Sequence, residues 1–238
     1  MKKKFGFTLA EILITLGIIG VVSAMTMSVL INNYNKKVTA EKLKKSYSEL
    51  SQTLKMAETE YGSVSTWDLS AVDNTAGNKS EYFYNNFIKP YLKVVKYCKD
   101  ADDYSCWAEK TINLKGTENS LKQSSKTRSF ITASGYSVIF WVSSTGSSVT
   151  LCIDINGPQK GPNKIARDIF YFGIWFNSDI GLKAYGVDFS GVTRDNLLGK
   201  TPDSSLTSNY LCSKGKNGVY CSGVIVLDGW KIEKDYPW

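Results

Sequence analysis

Residues 1–25 read MKKKFGFTLAEILITLGIIGVVSAM, and this stretch decides how the first part of the chain folds. From Phe7 to Met25 nearly every side chain is compatible with lipid, yet Glu11 lies near the start of the run. A carboxylate inside a bilayer costs roughly 2.5–3.5 kcal/mol on insertion scales, and less near the interface. Because the apolar run contains no cation, Glu11 is expected to need a partner from elsewhere.

Two ordinary interpretations leave that carboxylate unexplained. A secretory signal peptide requires a basic start, a short apolar stretch and a small-residue cleavage site, which residues 2–4, 13–22 and 22–24 supply. A plain membrane anchor requires about 20 mostly apolar residues, and residues 12–31 satisfy that requirement. Neither gives a reason for Glu11.

A third interpretation rests on a family resemblance. The chain begins with three lysines followed by Phe5 and Gly6, and continues with Phe7-Thr8-Leu9-Ala10-Glu11 and a long apolar run. This order resembles the class III leader and N-terminus of type IV pilins and type II secretion pseudopilins. The resemblance implies that a prepilin peptidase cuts after Gly6 and methylates the new amino group of Phe7. It also implies that the Glu11 carboxylate pairs with the terminal amine of a neighbouring subunit.

The same resemblance implies where the chain is located and what it contacts. It implies a single pass through the inner membrane with the C-terminal domain outside the cytoplasm, followed by incorporation into a periplasmic or surface filament. The expected partners are the prepilin peptidase, like or related pilin subunits in a helical filament, and the inner membrane before assembly.

Apolar residues continue at helical spacing beyond the membrane-compatible run. They recur at alternating steps of three and four, which predicts an amphipathic helix, at Ala40, Leu43, Tyr47, Leu50, Leu54, Ala57 and Tyr61. Gly62 follows the last position of this pattern and predicts the C-terminal end of the helix. We therefore predict a leader at 1–6, a transmembrane or filament-core helix at 7–31, its amphipathic continuation at 32–61 and a globular domain at 62–238.

The globular part has a strand-like pattern after Thr127. Short β-branched or aromatic runs separated by turn residues predict an antiparallel sheet, at 136–142, 148–155, 169–176 and 182–187. Residues 224–227 and 230–232 flank Asp228-Gly229, which predicts a hairpin. Residues 81–95 predict a short helix broken near Lys89 by Pro90, with a turn or two beyond. The predicted fold class is α+β, with the long helix packed on the sheet.

Five cysteines indicate up to two disulfide bridges. Cys98 with Cys106, and Cys212 with Cys221, would each close a short polar loop, as expected in an oxidising extracytoplasmic compartment; five reduced thiols in a cytosolic protein are the alternative. Cys152 is then either a buried thiol in a strand or a partner in a bridge that breaks one short loop.

Residues 154–170, DINGPQKGPNKIARDIF, are the most motif-like internal stretch. Asp154, Asn156 and Asp168 combine turn chemistry with oxygen ligands, so calcium is one interpretation, although the spacing departs from an EF-hand. The favoured alternative is a structured connection whose side chains hydrogen-bond the backbone. The stretch also resembles a segment of many pilin-like proteins, in which its role is structural. Apart from this calcium interpretation, no cofactor is predicted.

Two other groups of side chains raise a binding interpretation. Three acids, Asp100, Asp102 and Asp103, lie close together in the first cysteine loop. Acidic residues in such a loop are more commonly exposed turn residues than ligands of a cation. Six aromatic residues suggest stacking on a carbohydrate or nucleic acid, but their strand-like positions favour core or subunit packing: Trp107, Trp141, Trp175, Trp230, Tyr236 and Trp238.

Composition excludes several classes of enzyme. The chain has no histidine, which removes Ser/His/Asp and Cys/His catalysis, and it contains neither common phosphate-binding glycine motif. The net charge is +7; removing the three leader lysines leaves 26 basic and 22 acidic residues, or +4, which gives little support to a nucleic-acid partner. The prediction is a non-enzymatic pilin-like subunit, a type II secretion pseudopilin or minor pilin. A binding module on a pilin stem, for DNA uptake or adhesion, is the alternative.

Overall fold

The computed structural model describes residues 6, 8–73, 75–118, 121–176, 181–187 and 190–238. The chain divides into two compact units, Met1–Val38 and Thr39–Trp238. Of the predicted leader, only Gly6 is among the described residues, and Phe7 lies outside them.

Helix α1 spans Leu9–Tyr61 and ends where the sequence predicts. Gly62 follows it with φ of +79°, a left-handed conformation that glycine adopts without a steric penalty. Within the first unit the side chains of α1 are exposed except for the part-buried Lys36 and Val38. Among the described residues, α1 is the one helix that is long and apolar enough to cross a membrane.

The part of α1 within the second unit buries most of the predicted stripe, although Tyr47 is part-buried and Tyr61 is 39% exposed. Its buried apolar residues contribute to the core: Ala40, Leu43, Leu50, Leu54 and Ala57. Two hydroxyls on the same face, Ser46 and Thr53, are also buried, which the pattern does not predict. Ser46 Oγ donates to Lys42 O at 3.0 Å and Thr53 Oγ1 to Glu49 O at 2.9 Å, so the helix backbone satisfies both hydroxyls.

Six antiparallel strands form one sheet in sequence order. They are β1 (Val94–Cys98), β2 (Arg128–Thr132), β3 (Ser137–Val142), β4 (Ser148–Asp154), β5 (Ile169–Trp175) and β6 (Lys183–Ala184). The sheet and the second half of α1 share one core, and the Tyr47 and Phe172 rings are 5.6 Å apart. The predicted α+β class, a long N-terminal helix packed on an antiparallel sheet, is confirmed.

Short helices connect these elements. They are α2 (Asn78–Phe83), which continues as a π-helix over Tyr84–Ile88, then α3 (Arg194–Leu198) and α4 (Cys221–Leu227). Among the described residues there are also three 3₁₀ turns, at Val64–Thr66, Thr75–Gly77 and Ser208–Tyr210.

The predicted C-terminal hairpin is wrong. Residues 224–227 lie in α4, which packs along β5, and Ser222 Oγ donates to Tyr171 O at 2.5 Å. Val224 and Ile225 are buried side by side, which a half-exposed hairpin strand cannot achieve. The Asp228-Gly229 pair ends the helix, because the N–H groups of Asp228 and Gly229 return to carbonyls of the last turn.

The region around Pro90 also differs in part from the prediction. One turn contains the proline, since Leu92 N donates to Ile88 O at 2.9 Å. The chain then becomes the edge strand β1 from Val94, where further helix was predicted as far as residue 95. At the opposite edge, β6 is shorter than the predicted strand, because only Lys183 and Ala184 pair with β5.

Candidate functional site at the N-terminus of helix α1

The start of α1 contains a reciprocal cap that involves Glu11. The backbone N and Oγ1 of Thr8 each lie 2.8 Å from Oε2 of Glu11, and Glu11 N donates to Thr8 Oγ1 at 3.3 Å. This is a capping box, in which the N-cap hydroxyl and the carboxylate three residues later satisfy each other's backbone donors. Glu11 therefore has a partner within its own chain, which the interpretation based on lipid compatibility alone missed.

A sequence signal for this cap was present. Thr8-Leu9-Ala10-Glu11 is the T-x-x-E pattern that precedes many helices. The carboxylate also lies in the first turn of the helix, where the backbone dipole favours a negative charge. Local structure thus holds Glu11 in place, and any neighbouring amine would approach a carboxylate that is already oriented.

The helix beyond Glu11 presents an apolar surface within the first unit. Its large side chains are mostly more than half exposed there, among them Leu13, Ile14, Leu16, Ile18, Ile19, Val21, Val22, Met25, Val29 and Leu30. Exposed apolar area on this scale is rare on soluble monomers and indicates contact with lipid or another protein.

Both short cysteine loops are bridged in the structure. Cys98 is joined to Cys106, and Cys212 to Cys221. Cys152 is a buried free thiol in β4, which is one of the two alternatives left open by the sequence. Burial raises the pKa of the Cys152 thiol well above its usual range, so the thiol stays protonated and unreactive.

In the first cysteine loop, Asp103 takes part in a turn. Its Oδ1 accepts hydrogen bonds from the backbone N–H of Ser105, at 3.0 Å, and from the Ser105 hydroxyl. These bonds lower the pKa of Asp103. Asp100 and Asp102 are exposed. This arrangement matches the turn interpretation.

The β4–β5 connection places Asp154 at its start and Asp168 at its end. Oδ1 of Asp154 accepts the N–H groups of Asn156 and Gly157, both at 3.1 Å. Asp168 accepts Asn163 N at 2.8 Å and Lys164 N at 2.6 Å. The two carboxylates therefore fold the connection by binding its backbone, as the structured-connection interpretation predicts.

Both of these carboxyl groups are buried. Burial raises the pKa of Asp154 to about 7, although the N–H groups of Asn156 and Gly157 lower it and the charge of Asp168 raises it further. Burial likewise raises the pKa of Asp168, against the hydrogen bonds from Lys164, Asn163 and Asn156. The negative charges lie close enough to repel each other.

Of the six aromatic residues that raise a binding interpretation, Trp107 and Tyr236 are buried and Trp141 lines a surface groove. Trp107 is fully buried, and Trp230 packs 5.0 Å from the Tyr47 ring. A groove of about 560 Å³ includes Trp141 and Tyr171 of the sheet together with Lys122 and Lys126.

Comparison with known families gives two matches. A family of unknown function, DUF6613, matches residues 29–238, and the prokaryotic N-terminal methylation motif matches residues 1–27. No curated protein and no solved structure matches the chain. The second match includes Gly6, Phe7 and the capped Glu11.

Proposed function

Because the chain belongs to the family of unknown function DUF6613 and begins with the methylation motif of type IV pilin-like proteins, we propose that it is a structural subunit of a type IV filament-type assembly. More narrowly, we propose a type II secretion pseudopilin or a minor pilin that prepilin peptidase cuts after Gly6 and methylates at Phe7. The subunit acts by packing and has no catalytic function.

The capped carboxylate at the start of an exposed apolar helix is the observation that carries the proposal. Cleavage after Gly6 would create a cationic amine on Phe7, close in sequence to Glu11. Within the described residues, the Glu11 carboxylate accepts hydrogen bonds from Thr8 through Oε2 and none through Oε1. The amine of a neighbouring subunit can therefore bind the same carboxylate. In a filament core of low dielectric such an ion pair is strong if its geometry is good.

The exposed apolar surface supports the same assembly. A helix of this kind is stable in the membrane as a monomer and can exchange lipid for the helices of other subunits. The removal of three lysines with the leader reduces the charge that holds the N-terminus at the membrane surface. Processing therefore favours release into a filament.

Analysis of the mature N-terminus tests the proposal. The protein is isolated from its native membranes and from sheared filaments, and its intact mass and N-terminal peptide are measured. We expect a chain that starts at Phe7 with a methylated amine, present in filaments at a small fraction of the main subunit. A chain that starts at Met1 or Met25 in both fractions would overturn the proposal.

A second candidate is a DNA-binding module on a pilin stem, and the side chains that line the groove support it. Trp141 and Tyr171 offer ring faces for bases, and Lys122 and Lys126 offer charges for phosphates. A gel shift with single-stranded DNA at several salt concentrations tests it, since phosphate contacts weaken steeply with salt. No retardation at low salt would exclude this candidate.

A further inference from the structure

The β4–β5 connection contains side-chain oxygens that no described residue satisfies. Oδ2 of Asp154, Oδ1 of Asn156 and Oδ1 of Asn163 are all buried and accept no hydrogen bond from the part of the chain that the structure describes. A buried acceptor without a donor costs roughly 1–3 kcal/mol. Three such atoms within ten residues of one connection call for donors or a cation that the described residues do not supply.

The hydrogen bonds of the two amides set the direction of these oxygens. Asn156 Nδ2 donates to Gly161 O at 3.2 Å, and Asn163 Nδ2 donates to Pro158 O at 3.3 Å. Because each NH₂ group is bound to a backbone carbonyl, each Oδ1 points away from that carbonyl. Oδ1 of Asp154 is likewise used by the backbone, which leaves its Oδ2 facing the interior.

A residue outside the connection points to the same place. Ser137 of β3 pairs directly with Asp154 of β4, so the two side chains project side by side from one face of the sheet. Ser137 is fully buried, and its Oγ has no hydrogen-bond partner among the described residues. The Ser137 hydroxyl of β3 therefore lies beside Asp154, at the end of β4 where the β4–β5 connection begins.

No cationic side chain of the described residues forms an ion pair with the two buried carboxylates. Asp154 is 0% exposed and Asp168 is 3% exposed, and neither takes part in an ion pair of the described residues. Two neighbouring buried carboxylates are stable only if a proton or a cation neutralises part of their charge.

We propose that the β4–β5 connection binds a calcium ion through side-chain oxygens of Asp154, Asn156 and Asn163, with Ser137 at the edge of the site. Asp168 adds negative charge and folds the segment around the ion. The donor set contains oxygen alone, which suits hard cations and excludes the nitrogen and sulfur preferences of zinc and copper. Amide and carboxylate oxygens on an irregular segment suit the flexible coordination of calcium better than the strict octahedron of magnesium.

Calcium titration of the full-length chain in detergent micelles tests this inference. Thermal unfolding is followed in EDTA, in calcium chloride and in magnesium chloride, and calcium binding is measured by calorimetry. We expect calcium to raise the midpoint by several degrees and magnesium to raise it much less. Asp154→Asn, which keeps the size of the side chain, is expected to weaken calcium binding at least tenfold.

Two further variants make the result interpretable. Asn156→Ala removes one proposed ligand without changing any charge, and it should also weaken binding if Asp154→Asn does not fold. Asp203→Asn is the matched control, because Asp203 is part-exposed and its Oδ1 accepts the N–H of Ser205 at 2.9 Å in a similar turn. Its calcium response should equal that of the wild type. A wild-type chain with the same midpoint in EDTA and in millimolar calcium would overturn the inference, because a proton would then be sufficient.

Discussion

Glu11 caps α1, and in the proposed assembly it would also pair with a neighbouring amine; two substitutions can separate these roles. As a cap it needs only an acceptor, and glutamine can replace glutamate in a capping box. As a partner for an amine it needs its charge. Glu11→Gln is therefore expected to keep α1 capped but to reduce incorporation into filaments at least tenfold, as measured by immunoblotting of sheared filaments against membranes.

The matched variant is Thr8→Val, which removes the hydroxyl and keeps the carboxylate. The loss of one cap is worth about 1 kcal/mol, so we expect a modest loss of incorporation. Equal incorporation of Glu11→Gln and wild type would contradict the role of the charge.

Arg128 shows how a buried cation is stabilised in the globular unit. Its side chain is 1% exposed; Nε donates to Glu81 Oε2 at 2.9 Å, and Nη1 donates to the carbonyls of Ser125 and Thr127. Burial raises the pKa of Glu81, but the hydrogen bonds from Arg128 and Tyr97 lower it more, so the net shift is downward. The lowered pKa keeps the Glu81 carboxylate charged at neutral pH.

Glu81→Gln should consequently destabilise the fold. The loss of one partner of a buried pair costs several kcal/mol, and since Glu81 is about a quarter exposed we expect about 2 kcal/mol. The wild-type contribution is fully present above the ordinary glutamate pKa and is lost as the pH falls through the lowered one. Urea unfolding between pH 3 and pH 7 should show this loss in wild type and not in Glu81→Gln. Glu109→Gln, at an exposed position, should match wild type throughout.

Some residue-level features could be predicted and others could not. Glu11 stands out in an apolar run, and the short cysteine loops can be recognised by spacing. The oxygens at the end of β4 could not be predicted as a group, because the position of Ser137 beside Asp154 depends on the register of two strands.

Helix α4 is the element that the sequence pattern least determines. Four consecutive apolar residues beside Asp-Gly fit a strand as well as a buried helical turn, and length alone does not distinguish them. Tertiary packing decides: Cys221 is bridged to Cys212, and Gly223 lies against the carbonyl of Tyr185. Helix α1 was predictable because its apolar spacing repeats over many turns, which no strand can reproduce.

Gly223 gives a direct test of that packing. Alanine normally stabilises a helix interior by about 1 kcal/mol relative to glycine. A Cβ on Gly223 would lie 2.6 Å from Tyr185 O and 2.9 Å from Leu197 Cδ1, so α4 would have to move. We therefore expect Gly223→Ala to lower the free energy of unfolding by about 1–3 kcal/mol. Leu227→Ala, at an exposed position of the same helix, should change it by much less. A stabilised Gly223→Ala variant would show that α4 does not pack in this way.

Within the globular unit, the C-terminal residues join parts of the chain that are distant in sequence. Arg194 of α3 binds the carboxylate of Asp235 through Nη1 at 2.9 Å and Nη2 at 2.6 Å. The Trp238 ring lies 4.3 Å from the Arg167 guanidinium carbon in the β4–β5 connection. The sequence of this segment does not decide between an exposed tail and a packed end, because nothing local distinguishes an exposed aromatic end from a buried one. The structure shows that it packs against the globular core.

Tyr236 connects the C-terminal segment to the β4–β5 connection. Its side chain is 3% exposed, and its hydroxyl donates to Ala166 O at 2.8 Å inside the β4–β5 connection. Tyr236→Phe keeps the ring and leaves that carbonyl without its donor, so we expect a loss of about 1–2 kcal/mol in the free energy of unfolding. Tyr82 is 42% exposed, so Tyr82→Phe is the control. It should lower the free energy of unfolding by less than about 0.5 kcal/mol. If urea unfolding gave the two variants equal stability, the hydrogen bond of Tyr236 would not stabilise the globular unit. Residues 155–168 would then hold their conformation without the C-terminal segment.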